Sequence, residues 1–165
     1  MRRLTAILSA FILTIFGRSQ DDKSLQRILK TMNKESVPYI SVADASRMKA
    51  TFLDAREASE YGVSHIEDAV HVGYKNFNMK LINDLNVNKT DTLIVYCSIG
   101  VRSEDIGEKL KEAGFKNVYN LYGGIFEWKN LNYPVYSSTE QITDSVHAYS
   151  KYWSRFLHTG VKVYE

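Results

Sequence analysis

The hydrophobic positions of this chain change period repeatedly, and each change marks an element. Leu25, Ile28, Leu29 and Met32 recur at i, i+3, i+4 and i+7, which predicts an amphipathic helix. Val37-Pro38-Tyr39-Ile40 predicts a short strand, and Ser41 then stands as the N-cap of a short helix reaching Met48. Thr51-Phe52-Leu53-Asp54-Ala55 predicts a buried strand, and Glu57 to Tyr61 a helical turn stopped by Gly62. Ala69-Val70-His71-Val72 is a further short apolar run, followed by a helix from Asn78 to Leu85. Turn residues over 86–91 precede the strand Thr92-Leu93-Ile94-Val95-Tyr96. Ser103 then opens a helix with Ile106, Leu110 and Ala113 on one face, Glu104 and Asp105 in its first turn, and Gly114 at its end. Val118 to Leu121 predicts a strand, Gly123-Gly124 a turn, and Ile125 to Asn130 a short helix. Strands alternating with helices predict an α/β fold built on a parallel sheet.

Both ends of the chain read as additions to that pattern. From Tyr136 onward, Ser138 and Gln141 have the spacing of a capping box. Ile142, Val146, Tyr149, Trp153, Phe156 and Leu157 then follow a 4-3-4-3 rhythm closed by Gly160, which predicts a long amphipathic helix over 138–157. Its aromatic stripe is expected to pack on the domain itself, with docking of a protein partner as the alternative. At the other end, Arg2 and Arg3 precede an uncharged apolar run from Leu4 to Phe16, and Gly17 and Ser19 form a small-x-small site. That is the pattern of a signal peptide over 1–19, with cleavage near Ser19 and export to a periplasmic or extracellular space. The alternative is an N-terminal membrane anchor, but 13 apolar residues fall short of the roughly 20 needed to span a bilayer, so no membrane span is expected in the mature form. The chain therefore divides into 1–19, an N-terminal helix and linker over 20–36, a domain over 37–135 and an extension over 136–165.

Composition narrows the partners. A 165-residue chain that is 44% hydrophobic and 24% charged, with 2 prolines, is long enough and apolar enough for a packed core. A net charge of +2 gives no electrostatic footprint for nucleic acid. Removing 1–19 takes away Arg2, Arg3 and Arg18, leaving 18 basic against 19 acidic residues, so even that basicity belongs to the leader. With 1 cysteine there is no internal disulfide and no cysteine cluster for a metal, and no cofactor is implied.

That cysteine, Cys97, opens the segment Cys97-Ser98-Ile99-Gly100-Val101-Arg102-Ser103 between a predicted strand and a predicted helix. Backbone N–H groups and the helix dipole converge at such a junction and favour the thiolate, which is the reactive form. Gly100 permits a tight turn or a positive φ, so the loop can curl its amides around the sulfur as an anion nest. Arg102 closes the ring with positive charge, and Ser98 and Ser103 offer hydroxyls. Such a cradle stabilises a thiolate and a persulfide anion alike. A lone cysteine is more often a buried passenger, and the loop is what argues otherwise here. Asp54 and Arg56 end a strand on the same side of the sheet; a structural ion pair is the expected reading, with a supporting role at the site as the alternative. His65 is expected to be a local hydrogen-bonding residue, and His71, His147 and His158 surface or capping residues.

At these residues the chain resembles the rhodanese-like sulfurtransferase domain. Asp54-Ala55-Arg56-Glu57 is similar to the D-x-R-E strand end of that family, Glu60-Tyr61 to its E-[FY] pair, and His65-Ile66-Glu67-Asp68-Ala69 to G-H-I-x-G-A. Tyr96 to Ser103 resembles the active-site loop Y-C-x-x-G-x-R-S, and Gly114-Phe115, Val118, Leu121, Gly123-Gly124 and Trp128 follow the family's ending. The likeness runs from about Val37 to Val135, about 60% of the chain. It implies a five-stranded, mostly parallel sheet flanked by helices. It also implies that Cys97 takes a sulfane sulfur from a small sulfur-containing anion such as thiosulfate, forms a persulfide, and passes it to a thiol or cyanide. The backbone from Ser98 through Ile99, Gly100 and Val101 to Arg102 is then the anion-binding loop. Ser64 and Asp68 replace two glycines of the pattern, Gly107 stands where alanine is usual, and Ile99 and Val101 make the loop apolar.

Two other functions fit parts of this pattern. A cysteine phosphatase or arsenate reductase uses a related loop one residue longer, C-x5-R, whereas Cys97 to Arg102 is C-x4-R. A non-catalytic or sulfur-carrying module that binds a protein partner through helix 138–157 is the other.

Overall fold

A computed structural model describes residues 21–164, so the expected leader over 1–19 lies outside the described residues. At its centre is strand β4 (Thr92–Tyr96), whose buried side chains alternate between two cores. Leu93 and Val95 face one cluster with Val37, Leu53, Ile82, Ile106, Leu110 and Val118. Ile94 and Tyr96 face the other, with Ile40, Leu121, Phe126 and Trp128. A strand buried on both faces reads as a continuous apolar run, which is why periodicity alone shows it only as hydrophobic.

Around it lie β1 (Tyr39–Ile40), β2 (Thr51–Asp54), β3 (Val70–His71) and β5 (Asn117–Leu121), in the order β1-β5-β4-β2-β3, every pair parallel. The helices are α1 (residues 21–32), α2 (Val42–Ala45), α3 (Ala58–Val63), α4 (Met79–Asp84), α5 (Arg102–Glu112) and α6 (Gly124–Asn130). Ser41 caps α2 through its side chain as its position predicts, and Asn78, expected as the first helical residue, caps α4 through its own. Helix α3 passes through Gly62 to Val63 instead of stopping there, because a capping box between Glu57 and Glu60 secures its start. Asp68 stands at φ 55°, a conformation that a glycine takes without cost, so the exchange for glycine is local. Gly107 of α5 faces the buried Val37, and a Cβ there would stand 2.9 Å from its methyl group, so even alanine would crowd the helix off the sheet. No helix among the described residues is long and apolar enough to cross a membrane.

The tail corrects the expectation of a helix over 138–157. It forms a hairpin of β6 (Val135–Tyr136) with β7 (Ile142–Thr143), a parallel pair of β8 (Ser145–His147) with β9 (Val161–Val163), and a 3-10 turn over Trp153–Phe156. Glu140 and Tyr149 both sit at left-handed φ, 56° and 62°, which interrupts any helix. Ser and Thr at 137, 139 and 143 and the β-branched Ile142 and Val146 favour turns and strands. Gln141 of the expected capping box serves the hairpin with Ser137 in place of Ser138: the Ser137 amide donates to the Gln141 carbonyl, and the Ser137 hydroxyl accepts from Thr139 and Gln141 amides. Ile142 and Tyr149 of the expected stripe are exposed, so the helical face proposed for partner docking does not exist. The remaining four pack inward, with Val146, Phe156 and Leu157 in the same core as Leu25 and Leu29 of α1 and Trp153 against it.

That packing makes the tail part of the fold. Leu157 is fully buried, so Leu157→Ala should cost about 2–5 kcal/mol of stability in urea denaturation. A loss within about 0.5 kcal/mol, the range of surface substitutions, would contradict it.

Candidate active site

Cys97 follows β4 directly, at the C-terminal end of the sheet where the connections diverge: β4 leads to β5 on one side and β2 to β3 on the other. The loop from Cys97 turns back at Gly100, whose φ of 107° is open to glycine, and enters α5 at Arg102. The Gly100 amide donates to Cys97 Sγ at 3.2 Å, and the Ser103 hydroxyl lies 3.6 Å from the sulfur. Asn120 of β5 takes the Ser103 hydroxyl at 2.7 Å and donates to the Gly100 carbonyl at 2.8 Å; Asn33 donates to the same carbonyl. The loop is also held from α6, where the Ile125 and Phe126 amides donate to the Cys97 and Ser98 carbonyls at 2.9 and 3.2 Å. A Cβ on Gly124 would overlap that backbone, so only glycine lets α6 approach so closely.

The charge in the site comes from two residues. Arg102 Nη1 and Nη2 donate to Glu60 Oε2 and Oε1 at 2.7 and 2.8 Å, a bidentate pair, and Nη2 also reaches the Ser98 hydroxyl at 3.0 Å. Ser98 donates in turn to Glu60 Oε1. Burial pushes the Glu60 carboxyl up, but the Arg102 guanidinium and the Glu57 amide outweigh it and hold it below the usual carboxylate range. Cys97 follows the same balance. Burial pushes the thiol up, while the Arg102 charge, the Ser103 hydroxyl and the Ser103 and Gly100 amides bring it below the ordinary cysteine value. The structure brings Cys97, Ser98, Ile99, Gly100, Val101, Arg102 and Ser103 together in one loop, with the Gly100 and Ser103 amides at the sulfur.

Asp54 and Arg56 lie beside it but not in it. They form a fully buried bidentate pair, Nη2 to Oδ2 at 2.6 Å, and Arg56 continues to the Ser64 carbonyl at 2.6 Å. They fix the β2–α3 connection, the structural reading of the two. His65 is a local anchor as expected, stacked on Tyr61 at 4.1 Å and bridged to Tyr136 through its backbone. His147 is buried rather than on the surface, and its Nδ1 accepts the Tyr149 amide at 3.1 Å. No group of His, Cys, Asp or Glu among the described residues could hold a metal ion.

The sequence reasoning left Glu60, Asn120 and Gly124 out of the site. A polar Asn in the otherwise apolar run Val118–Leu121, and the second of two glycines before α6, were the available signals. Also missed were Met32, Tyr149 and Trp153, which wall a cavity of about 150 Å3 in front of Cys97 together with Ile99 and Val101. They come from α1 and the tail, and nothing local in the sequence links them to the loop.

The family model of the Rhodanese-like domain matches residues 41–131. The chain belongs to the rhodanese-like domain family. Among curated proteins it is 37% identical over 101 residues to the tRNA uridine(34) hydroxylase of Wigglesworthia glossinidia brevipalpis, covering 56% of this chain and 32% of that protein. The chain thus spans about a third of the length of that relative. A rhodanese-related protein from Thermoplasma volcanium superposes with a TM-score of 0.51 at 28% identity, over 59% of this chain and 96% of the other. The fold is likewise that of a thiosulfate sulfurtransferase from Pseudomonas aeruginosa (TM-score 0.56, 23% identity, 66% of this chain and 21% of that one). A polysulfide-sulfur transferase from Wolinella succinogenes gives a TM-score of 0.55 at 21% identity, over 73% and 92% of the two chains.

In this rhodanese-like site the Arg102 charge sets the pH response. Because the folded thiol titrates below the ordinary cysteine value, wild type should gain stability over Cys97→Ser as pH rises through the folded pKa. The gain is complete above the pKa of the unfolded thiol and is lost as pH falls through the folded pKa. Arg102→Gln should raise the thiol and shrink that gain. Titration of thiolate absorbance, with denaturation at several pH values, checks it; an unmoved titration in Arg102→Gln would count against the assigned role.

Proposed function

We propose that the protein is a sulfurtransferase that carries a sulfane sulfur on Cys97. The observation that carries this reading is the short, amide-lined loop that favours an anion on Cys97 with no histidine base in contact. The Cys97 thiolate attacks the outer sulfur of a thiosulfate-like donor, the bond from that sulfur to the rest of the donor breaks, and Cys97 keeps it as a persulfide. A thiol or cyanide then attacks the terminal sulfur and restores the thiolate. Both steps use one cysteine, which agrees with the composition. When the acceptor attacks, negative charge returns to the Cys97 sulfur, where the Gly100 and Ser103 amides lie.

Two other activities receive less support. A phosphatase must hold a phosphoryl dianion, and both terminal nitrogens of Arg102 are already on Glu60. The relatives named tRNA uridine(34) hydroxylase are about three times as long as the matched segment, and the mouth of this pocket is apolar, with little to grip a polyanion. The reading therefore keeps a small sulfur compound and no nucleic acid as partner, and export directed by residues 1–19 as its setting.

Intact mass tests it. After incubation with thiosulfate, a thiosulfonate or a hydropersulfide, wild type should gain the mass of one sulfur atom and lose it to cyanide as thiocyanate. Cys97→Ser should gain none. An unchanged mass with every donor, or full turnover by Cys97→Ser, would refute the activity.

A further inference from the structure

The cavity over Cys97 has two ends of opposite chemistry. Its floor holds the sulfur and the polar loop, and its wall is Met32, Ile99, Val101, Tyr149 and Trp153. Met32, Tyr149 and Trp153 lie outside the segment 41–131 that matches the family, so this wall is particular to the chain's own ends. Tyr149 is set there by its left-handed φ of 62° and by the bond from its amide to His147, and its ring lies 5.0 Å from the Arg102 guanidinium.

Charge and size both restrict what can enter. Arg102 is neutralised by Glu60, so a thiolate on Cys97 leaves the three groups with one net negative charge. An inorganic dianion gains little there, and the apolar wall offers it no replacement for its water. A cavity of about 150 Å3 is the size at which an apolar site in another protein holds benzene.

We propose that this pocket takes monoanionic organic sulfane donors bearing an apolar group of about benzene size, in preference to thiosulfate, and that Tyr149 and Trp153 set this specificity. The proposal rests on the sulfurtransferase reading above. With a thiosulfonate, the Cys97 thiolate forms a bond to the terminal sulfur, the bond between that sulfur and the sulfonyl sulfur breaks, and a sulfinate leaves with the electron pair. Two negative charges enter the step and two leave it, and the sulfinate needs no proton.

Three donors decide it: benzenethiosulfonate, methanethiosulfonate and thiosulfate, each with cyanide as acceptor and each normalised to its rate with free cysteine. Wild type should favour the benzene compound over both others in kcat/KM by at least about tenfold, the scale on which apolar pockets discriminate. Trp153→Ala should cut the benzene-to-methane ratio at least about threefold, mainly through KM, and Trp153→Phe should restore most of it. Tyr149 is half-exposed, so Tyr149→Ala repeats the test without opening the core. Thiosulfate used as well as benzenethiosulfonate, or both alanine variants lowering the two thiosulfonates by one common factor, would overturn the specificity and leave sulfur transfer standing. No sulfur on Cys97 from any of the three would overturn both.

Discussion

The ion pair between Glu60 and Arg102 joins α3 to the start of α5 and sets the charge of everything between them. At an effective dielectric of about 20 such a pair attracts by about 4 kcal/mol, while removing each ion from water costs several. Its contribution to stability is therefore near balance, and its consequence lies elsewhere. It fixes Arg102 beside the loop with both terminal nitrogens committed, so the guanidinium supplies field to Cys97 without offering a binding fork to a second anion. Ser98 completes the arrangement by bonding to both partners, which ties the loop to the pair. A thiolate is favoured, and a crowd of negative charges is not.

Helix α6 extends this constraint to the rest of the chain. Its first amides hold the Cys97 and Ser98 carbonyls, and its last residues hold the tail. Lys129 pairs with Asp144 at 2.6 Å, and the Asn130 side chain donates to the Phe156 carbonyl and accepts the His158 amide. One short helix thus carries the floor of the pocket at one end and positions its outer wall from the other. This gives the tail a reason to be folded in: its buried residues stabilise α6, and α6 steadies the loop.

Most of the central domain was legible because its signals are local. Asn78 caps its helix, Gly114 ends another, and the buried strand before Cys97 announces itself by length and composition. The loop chemistry was legible for the same reason, since Cys97, Gly100, Arg102 and Ser103 are neighbours in sequence. The tail was not. Its 4-3-4-3 spacing is satisfied equally by residues that pack from strands and a 3-10 turn, and the deciding features are left-handed backbone at Glu140 and Tyr149 and bonds to Lys129 and Asn130. Glu60 was visible as part of a helix start and gains its role only when tertiary structure brings Arg102 to it.

Burial of the sulfur adds the final constraint. Cys97 is 1% exposed, so in the proposed reaction donor and acceptor must each bring their reacting atom down the cavity rather than meet the cysteine at the surface. In that reaction a persulfide would add one atom beyond the Cys97 sulfur, in the cavity lined by Tyr149, Trp153 and Met32. The inner sulfur stays against the amides that favour negative charge, and the outer sulfur, which the acceptor attacks, reaches the apolar wall. In the proposed reaction the residues around the mouth act on both half-reactions, because the same wall that admits the donor surrounds the atom passed on.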